Sequence, residues 1–191
     1  IHLYDLSYSG CTSCFACKLI GGKDYGRCAI HDGLTPVLER VSSSDVLILG
    51  SPLYWHTETG AMRSLMERLL FPYLAYTPGY GSIFPRTMPT ALVYTMNVNL
   101  EELPHHPQST MIAASEKTMR LIFGHCEVFL CTDTYQFDDY SKYVSSVWDA
   151  GAKARRHNEV FPQDCGRASE LGVRLVARAR SPEGVSEEPR L

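Results

Sequence analysis

An α/β architecture, a three-layer doubly wound parallel sheet, is predicted by three features of this sequence. It has short unbroken apolar runs, amphipathic helical patterns between them, and turn residues at the junctions. The clearest run, Asp45-Val46-Leu47-Ile48-Leu49-Gly50, shows no polar alternation, as expected of a strand covered on both faces. Thr90–Met96 and Glu127–Thr132 read the same way. Between the first two, Met62, Leu65, Met66, Leu69, Leu70 and Tyr73 form one helical face, in a helix starting near Thr57–Gly60.

The remaining elements follow in order. Residues 1–6 alternate with period two and predict a further strand. Residues 7–32 hold four cysteines with Gly21, Gly22 and Gly26, a loop-rich insertion. A short helix follows, with Thr35 as N-cap, Pro36 at its first position and Val37, Leu38 and Val41 inward. Residues 77–89 and 97–108 read as loops. Met111, Ile112, Ser115, Met119, Ile122 and Phe123 mark another helix, closed by Gly124. An aromatic, charged excursion spans 133–163, with a short helix around 149–160. The last helix starts at Asp164 and is expected to bury Ala168, Leu171, Leu175, Val176 and Ala179. This predicts a single domain over 1–180, with a disordered tail over 181–191, where two prolines and three glutamates gather.

Composition narrows the function. At 191 residues the chain suits one compact core. A net charge of -3 offers no electrostatic footprint for nucleic acid or an anionic membrane. No apolar run approaches the length of a membrane span, and the opening strand pattern is unlike a signal peptide. The seven cysteines are an odd number with a tight cluster, which fits a metal site in a reducing compartment better than a disulfide framework. A cytoplasmic location follows from that.

Open α/β sheets bind ligands outside the carboxyl ends of their strands. After the first buried run comes Ser51-Pro52-Leu53-Tyr54-Trp55-His56, then Thr59-Gly60 at a helix start. Adjacent aromatics beside free helix N–H groups suit a flat ligand with one apolar face and a polar rim, such as an isoalloxazine. Tyr54 and Trp55 could instead cap the core or face another subunit. Thr95-Met96-Asn97 offers hydroxyl and amide groups in the same crevice, a weaker signal because these residues are common in loops. The 134–140 segment shields a bound ring, is a surface loop or forms an interface, with the interface slightly favoured. His56 and the other histidines form no ligand set, and no catalytic triad or carboxylate pair stands out. Catalytic side chains are therefore expected to be none, consistent with a cofactor that carries the chemistry.

The cysteines are spaced Cys11-x2-Cys14-x2-Cys17-x10-Cys28. Three thiolates at such intervals, on an irregular turn, favour a [4Fe–4S] cluster over a tetrahedral zinc. Thiols that bind nothing, or that pair as a redox disulfide, are the remaining alternative.

The Cys cluster, Gly50-Ser51-Pro52-Leu53-Tyr54, Gly60-Ala61-Met62-Arg63 and Glu67-Arg68 together resemble the NAD(P)H-dependent FMN reductase-like flavoproteins of the flavodoxin fold, in particular their iron–sulfur branch. The resemblance implies FMN, with Ser51, Pro52, Leu53, Tyr54, Thr59 and Gly60 on one side of the ring and Thr95, Met96 and Asn97 on the other. Trp55, read from its place at the mouth, joins them. It implies Cys11, Cys14, Cys17 and Cys28 as cluster ligands, NAD(P)H as co-substrate, and a small-molecule or protein electron acceptor. It also implies a homodimer or homotetramer meeting through helix 61–74 and the aromatic loops. In that family a central first strand and its loop hold the FMN phosphate; this chain reads as starting at the second strand, with the first absent. A non-enzymatic flavodoxin-like electron carrier and a zinc-stabilised interaction domain are the competing readings.

Overall fold

The computed structural model describes residues 1–181. Its elements are α1 (Thr35–Ser42), β1 (Leu47–Tyr54), β2 (Thr57–Glu58), α2 (Gly60–Leu70), β3 (Leu74–Ala75), β4 (Gly81–Ser82), β5 (Met88–Thr95), α3 (Pro107–Phe123), β6 (Gly124–Cys131), α4 (Ala150–Arg155) and α5 (Phe161–Ala179). Apart from Ser181, the predicted disordered tail lies outside the described residues.

The α/β expectation holds. β1, β5 and β6 form a parallel sheet in which β5 is central. Side chains alternate along β5: Met88, Leu92 and Tyr94 join the larger core with α2 and α3, while Ala91 meets Leu171 and Leu175 of α5 on the other face. Helices on both faces make the three layers. The sheet is mixed, because β2 folds back antiparallel on β1; β3 and β4 form a separate hairpin, with β4 inside the predicted 77–89 loop. α3 ends at Gly124, whose φ of 85° places it in the left-handed region that a helix stop requires.

Four expectations are corrected. Residues 1–6 form a single 3-10 turn at Leu3–Asp5, not a strand. A strand pattern needs a ladder partner, and here a cavity of about 330 Å³ lies between Ile1–Tyr4 and the outer edge of β1. That edge has no strand beside Leu47–Pro52 among the described residues, and with Ile48 (49%), Gly50 and Pro52 exposed, β1 is buried on one face only, not on both as its unbroken run predicts. Second, the Ser51–Tyr54 segment is not a loop: β1 runs on through Tyr54, and the turn is the two-residue link Trp55-His56. Third, Leu34 is the N-cap of α1, while Thr35 Oγ1 turns back to donate to the Ile30 carbonyl and accept from Asp32 N–H. Fourth, α5 begins at Phe161 and buries Asp164, Leu171 and Leu175, leaving Val176 exposed and Ala168 and Ala179 half-buried. A narrow sheet needs only a narrow apolar stripe.

Substituting Gly124→Ala forces a Cβ into the left-handed region. It is expected to lower unfolding free energy by about 1 kcal/mol, read from the urea midpoint at constant m-value.

Candidate functional site

The two predicted turns leave neighbouring parallel strands at the same end. The ladder pairs Leu47 with Thr90 and runs to Pro52 opposite Thr95, so Ser51–Tyr54 and Thr95–Asn97 stand side by side at the sheet's carboxyl rim. What each residue does there differs. The Ser51 hydroxyl is buried, donates to the Pro52 carbonyl (2.7 Å) and accepts from Thr59 N–H (3.3 Å). Thr59 caps α2 by accepting from Met62 N–H. These two side chains shape the turn. Gly60 opens the helix whose first N–H groups face the rim.

Tyr54 and Trp55 are the exposed aromatics, with Trp55 94% accessible. Trp55 and His56 both have positive φ, 49° and 66°, between the paired residues Tyr54 and Thr57. A two-residue hairpin of this type normally takes Asn-Gly, since bulky L-residues in the left-handed region are strained. His56 is held by a hydrogen bond between Nδ1 and Oε1 of buried Gln108 (2.6 Å).

On the other strand Met96 is buried and its N–H donates to the Cys131 carbonyl. Asn97 is heavily engaged. Its Nδ2 donates to Gln136 Oε1, and its Oδ1 and carbonyl accept from the buried Lys153 ammonium, which also pairs with Asp133 at 2.5 Å. Thr95 remains half-exposed at the rim.

Behind the turns lies a carboxylate that sequence reasoning missed. Glu58, 2% exposed, accepts from Tyr94 Oη and Ser115 Oγ, both at 2.7 Å, with Arg63 3.6 Å away. Burial alone would raise its pKa, but these hydrogen bonds and Arg63 hold it below the usual carboxylate range. The same contact, with burial acting first, pushes the Tyr94 phenol up. Glu58 fixes β2 to β5 and α3, and so fixes the hairpin that carries Trp55.

The cysteine segment is docked on α2. Buried Arg68 binds the Ser9 and Ile30 carbonyls and pairs with Asp32 at 2.5 Å; its Nε donates to Cys28 Sγ at 3.3 Å. Lys18 is caged by the Phe71, Pro72 and Leu74 carbonyls and sits over the Phe71 ring. Gly26, at φ 76°, lets the chain double back so that its N–H reaches the Cys17 carbonyl. Burial pushes the Cys17 thiol up, and Cys14 and Cys11 are near enough to add to that push. Cys28 belongs to Arg68 instead. Among the described residues no three His, Cys, Asp or Glu side chains converge as a metal-ligand set. The thiols as arranged do not fit a cluster. Arg68 lay off the apolar face inferred for α2; the Glu67-Arg68 pair was its one visible signal.

Residues 1–84 match the NADPH-dependent FMN reductase family. The resemblance holds. Over 68 residues the chain is 32% identical to an iron-sulfur flavoprotein of Archaeoglobus fulgidus and to one of Methanocaldococcus jannaschii. That stretch is 36% of this chain, and it spans about a third of those relatives, 31% and 33% of their lengths. Among solved structures, an FMN-dependent NADH-azoreductase from Bacillus anthracis in complex with FMN shares the fold. It is 10% identical with a TM-score of 0.51, over 88% of this chain and 80% of that one. No helix among the described residues is long and apolar enough to cross a membrane.

The depressed Glu58 pKa has a sign. Its stabilisation is present above the unfolded-state value of about 4.3 and is lost as pH falls through the lower folded value. Glu58→Gln should therefore cost about 1 kcal/mol at neutral pH and flatten the decline of stability below about pH 4, read from urea unfolding against pH.

Proposed function

We propose that this chain is part of an FMN-dependent NAD(P)H oxidoreductase that passes electrons to a small-molecule or protein acceptor. The observation that carries the reading is the β1–β5 register, which sets Pro52 opposite Thr95 and so makes one mouth of two turns. Exposed aromatic faces at Tyr54 and Trp55 and the open start of α2 fit the ring end of a flavin.

In this reading Tyr54 and Trp55 stack on the ring and exclude water from it. Ser51, Pro52, Leu53, Thr59 and Gly60 present backbone on one side, held in shape by the Ser51 and Thr59 hydroxyls. Thr95, Met96 and Asn97 close the other side, Asn97 kept rigid by Lys153 and Gln136. Bound FMN would supply the electron-transfer chemistry that no side-chain set here provides.

The finer readings rest on less. A [4Fe–4S] cluster on Cys11, Cys14, Cys17 and Cys28 is supported by spacing and by the relatives' names; the thiol arrangement opposes it, so no electron step is drawn through it. All seven cysteines are unpaired, which supports a reducing, cytoplasmic setting. A homodimer or homotetramer is supported by an apolar cleft of about 650 Å³ between α2 and α3, lined by Met66, Leu70, Met111 and Ile122.

Purified without oxygen, the protein is expected to bind FMN and to lose flavin absorbance near ~450 nm on adding NADH or NADPH. Binding without bleaching would indicate a carrier, and a colourless, zinc-loaded protein would end the flavin reading. Trp55→Ala should weaken FMN about tenfold in a fluorescence titration. Iron and sulfide analysis after anaerobic reconstitution tests the cluster: with the thiols as arranged, well below the ~4 of each per chain that a cluster requires is expected, and full loading that is lost in Cys14→Ser would reinstate it.

A further inference from the structure

At the same carboxyl rim, one strand over from the β1–β5 mouth, Thr95 of β5 and Cys131 of β6 are register partners. A cavity of about 260 Å³ opens over them, walled by Tyr135, Arg156, His157 and Phe161. The walls are aromatic. Tyr135 and His157 lie 5.2 Å apart between ring centroids, and His157 stacks on Phe161 at 5.5 Å with an interplanar angle of 13°. Phe161 keeps 39% of its surface in water. His157 and Phe161 face the same way because they are four residues apart on a helical path that includes a π turn, Arg156–Val160, between α4 and α5. Such turns widen a helix and recur at functional sites.

The cavity's charge is unbalanced. Asp164, 1% exposed, accepts from Arg156 Nη2 at 2.5 Å and from Arg167, and Cys131 Sγ–H donates to it at 3.4 Å. Two guanidinium groups on one carboxylate leave a net charge of about one positive unit in a partly dry site, where it acts strongly. Among the described residues Arg156 has Asp164 as its hydrogen-bond acceptor through Nη2 alone, which leaves other N–H groups for a ligand. The floor adds no negative charge: burial, then Asp164, pushes the Cys131 thiol up to about 11, so it stays neutral.

We propose that this cavity binds a small planar aromatic carboxylate, its carboxylate on Arg156 and its ring against Tyr135 and Phe161. The volume admits one substituted ring and excludes a nucleotide. Bidentate recognition of carboxylate by a guanidinium supplies orientation, and the rings supply the apolar face. The cavity adjoins the proposed flavin mouth through Thr95 and Tyr135, but the assignment does not rest on that reading, since Arg156, His157 and Phe161 take no part in it.

The test is calorimetric titration of the purified protein with benzoate, alongside cyclohexanecarboxylate and benzamide. Benzoate should bind saturably, and the two analogues, lacking the flat ring or the charge, about tenfold more weakly. Arg156→Gln should lose about tenfold for benzoate and little for benzamide, with Arg156→Lys intermediate. Arg167 keeps Asp164 paired in these variants, so their melting midpoints should stay near that of the parent. As a measurement free of variants, benzoate should shift the aromatic proton resonances of Tyr135, His157 and Phe161. Equal affinity for all three probes, an unchanged benzoate affinity in Arg156→Gln, unshifted resonances, or no saturation below about 10 mM would each overturn the assignment.

Discussion

The parallel ladder between β1 and β5 is the constraint on which the rest of the molecule depends. Six consecutive pairs run from Leu47–Thr90 to Pro52–Thr95. A one-residue slip would exchange the Leu47 and Leu49 face, packed in the core, for Ile48 and Gly50. It would also displace the Ser51–Tyr54 end of β1 from Thr95. Burial and site geometry are therefore fixed by one register, and the strand ends meet at the rim because the strands pack as they do.

A second tie acts at right angles to the first. Arg68 projects from α2 into the cysteine segment and holds Ser9, Cys28, Ile30 and Asp32 at once. That segment has almost no regular structure of its own, so its backbone carbonyls need donors from elsewhere. A guanidinium supplies several in one plane, which no apolar residue at that position could do. Lys18 repeats the device from the other side, sending an ammonium back to the carbonyls at the end of α2. The insertion is docked by these cations together with a few apolar contacts, Tyr8 against the core and Phe15 against Phe71.

Much of this architecture was legible in the sequence, for a physical reason. Unbroken runs such as Leu47–Leu49 and Ala91–Val93 favour a strand packed into the core, although Ile48 stays half exposed, and Gly124 fits a helix stop better than any other residue. What failed was whatever depended on distant partners. The 1–6 pattern has strand periodicity but no neighbouring ladder. Nothing in the local sequence marks Glu58 or Arg68 for burial until folding surrounds them with Tyr94, Ser115 and Asp32. The candidate site was legible as two turns, because strand ends mark it. The shape of the first was not: Ser51–Tyr54 read as loop where the chain stays extended, since Ser and Pro carry turn chemistry locally and ladder pairing overrides it.

The Trp55-His56 link has a consequence for how this hairpin can change. Asn-Gly would relax both left-handed residues, and random substitution judged by folding alone would drift toward it. Holding an indole fully in water on a strained corner gives the folded state nothing by itself. The corner is thus costly to the fold and open to a visiting molecule, with the Gln108 grip on His56 acting as the ballast that keeps it from relaxing.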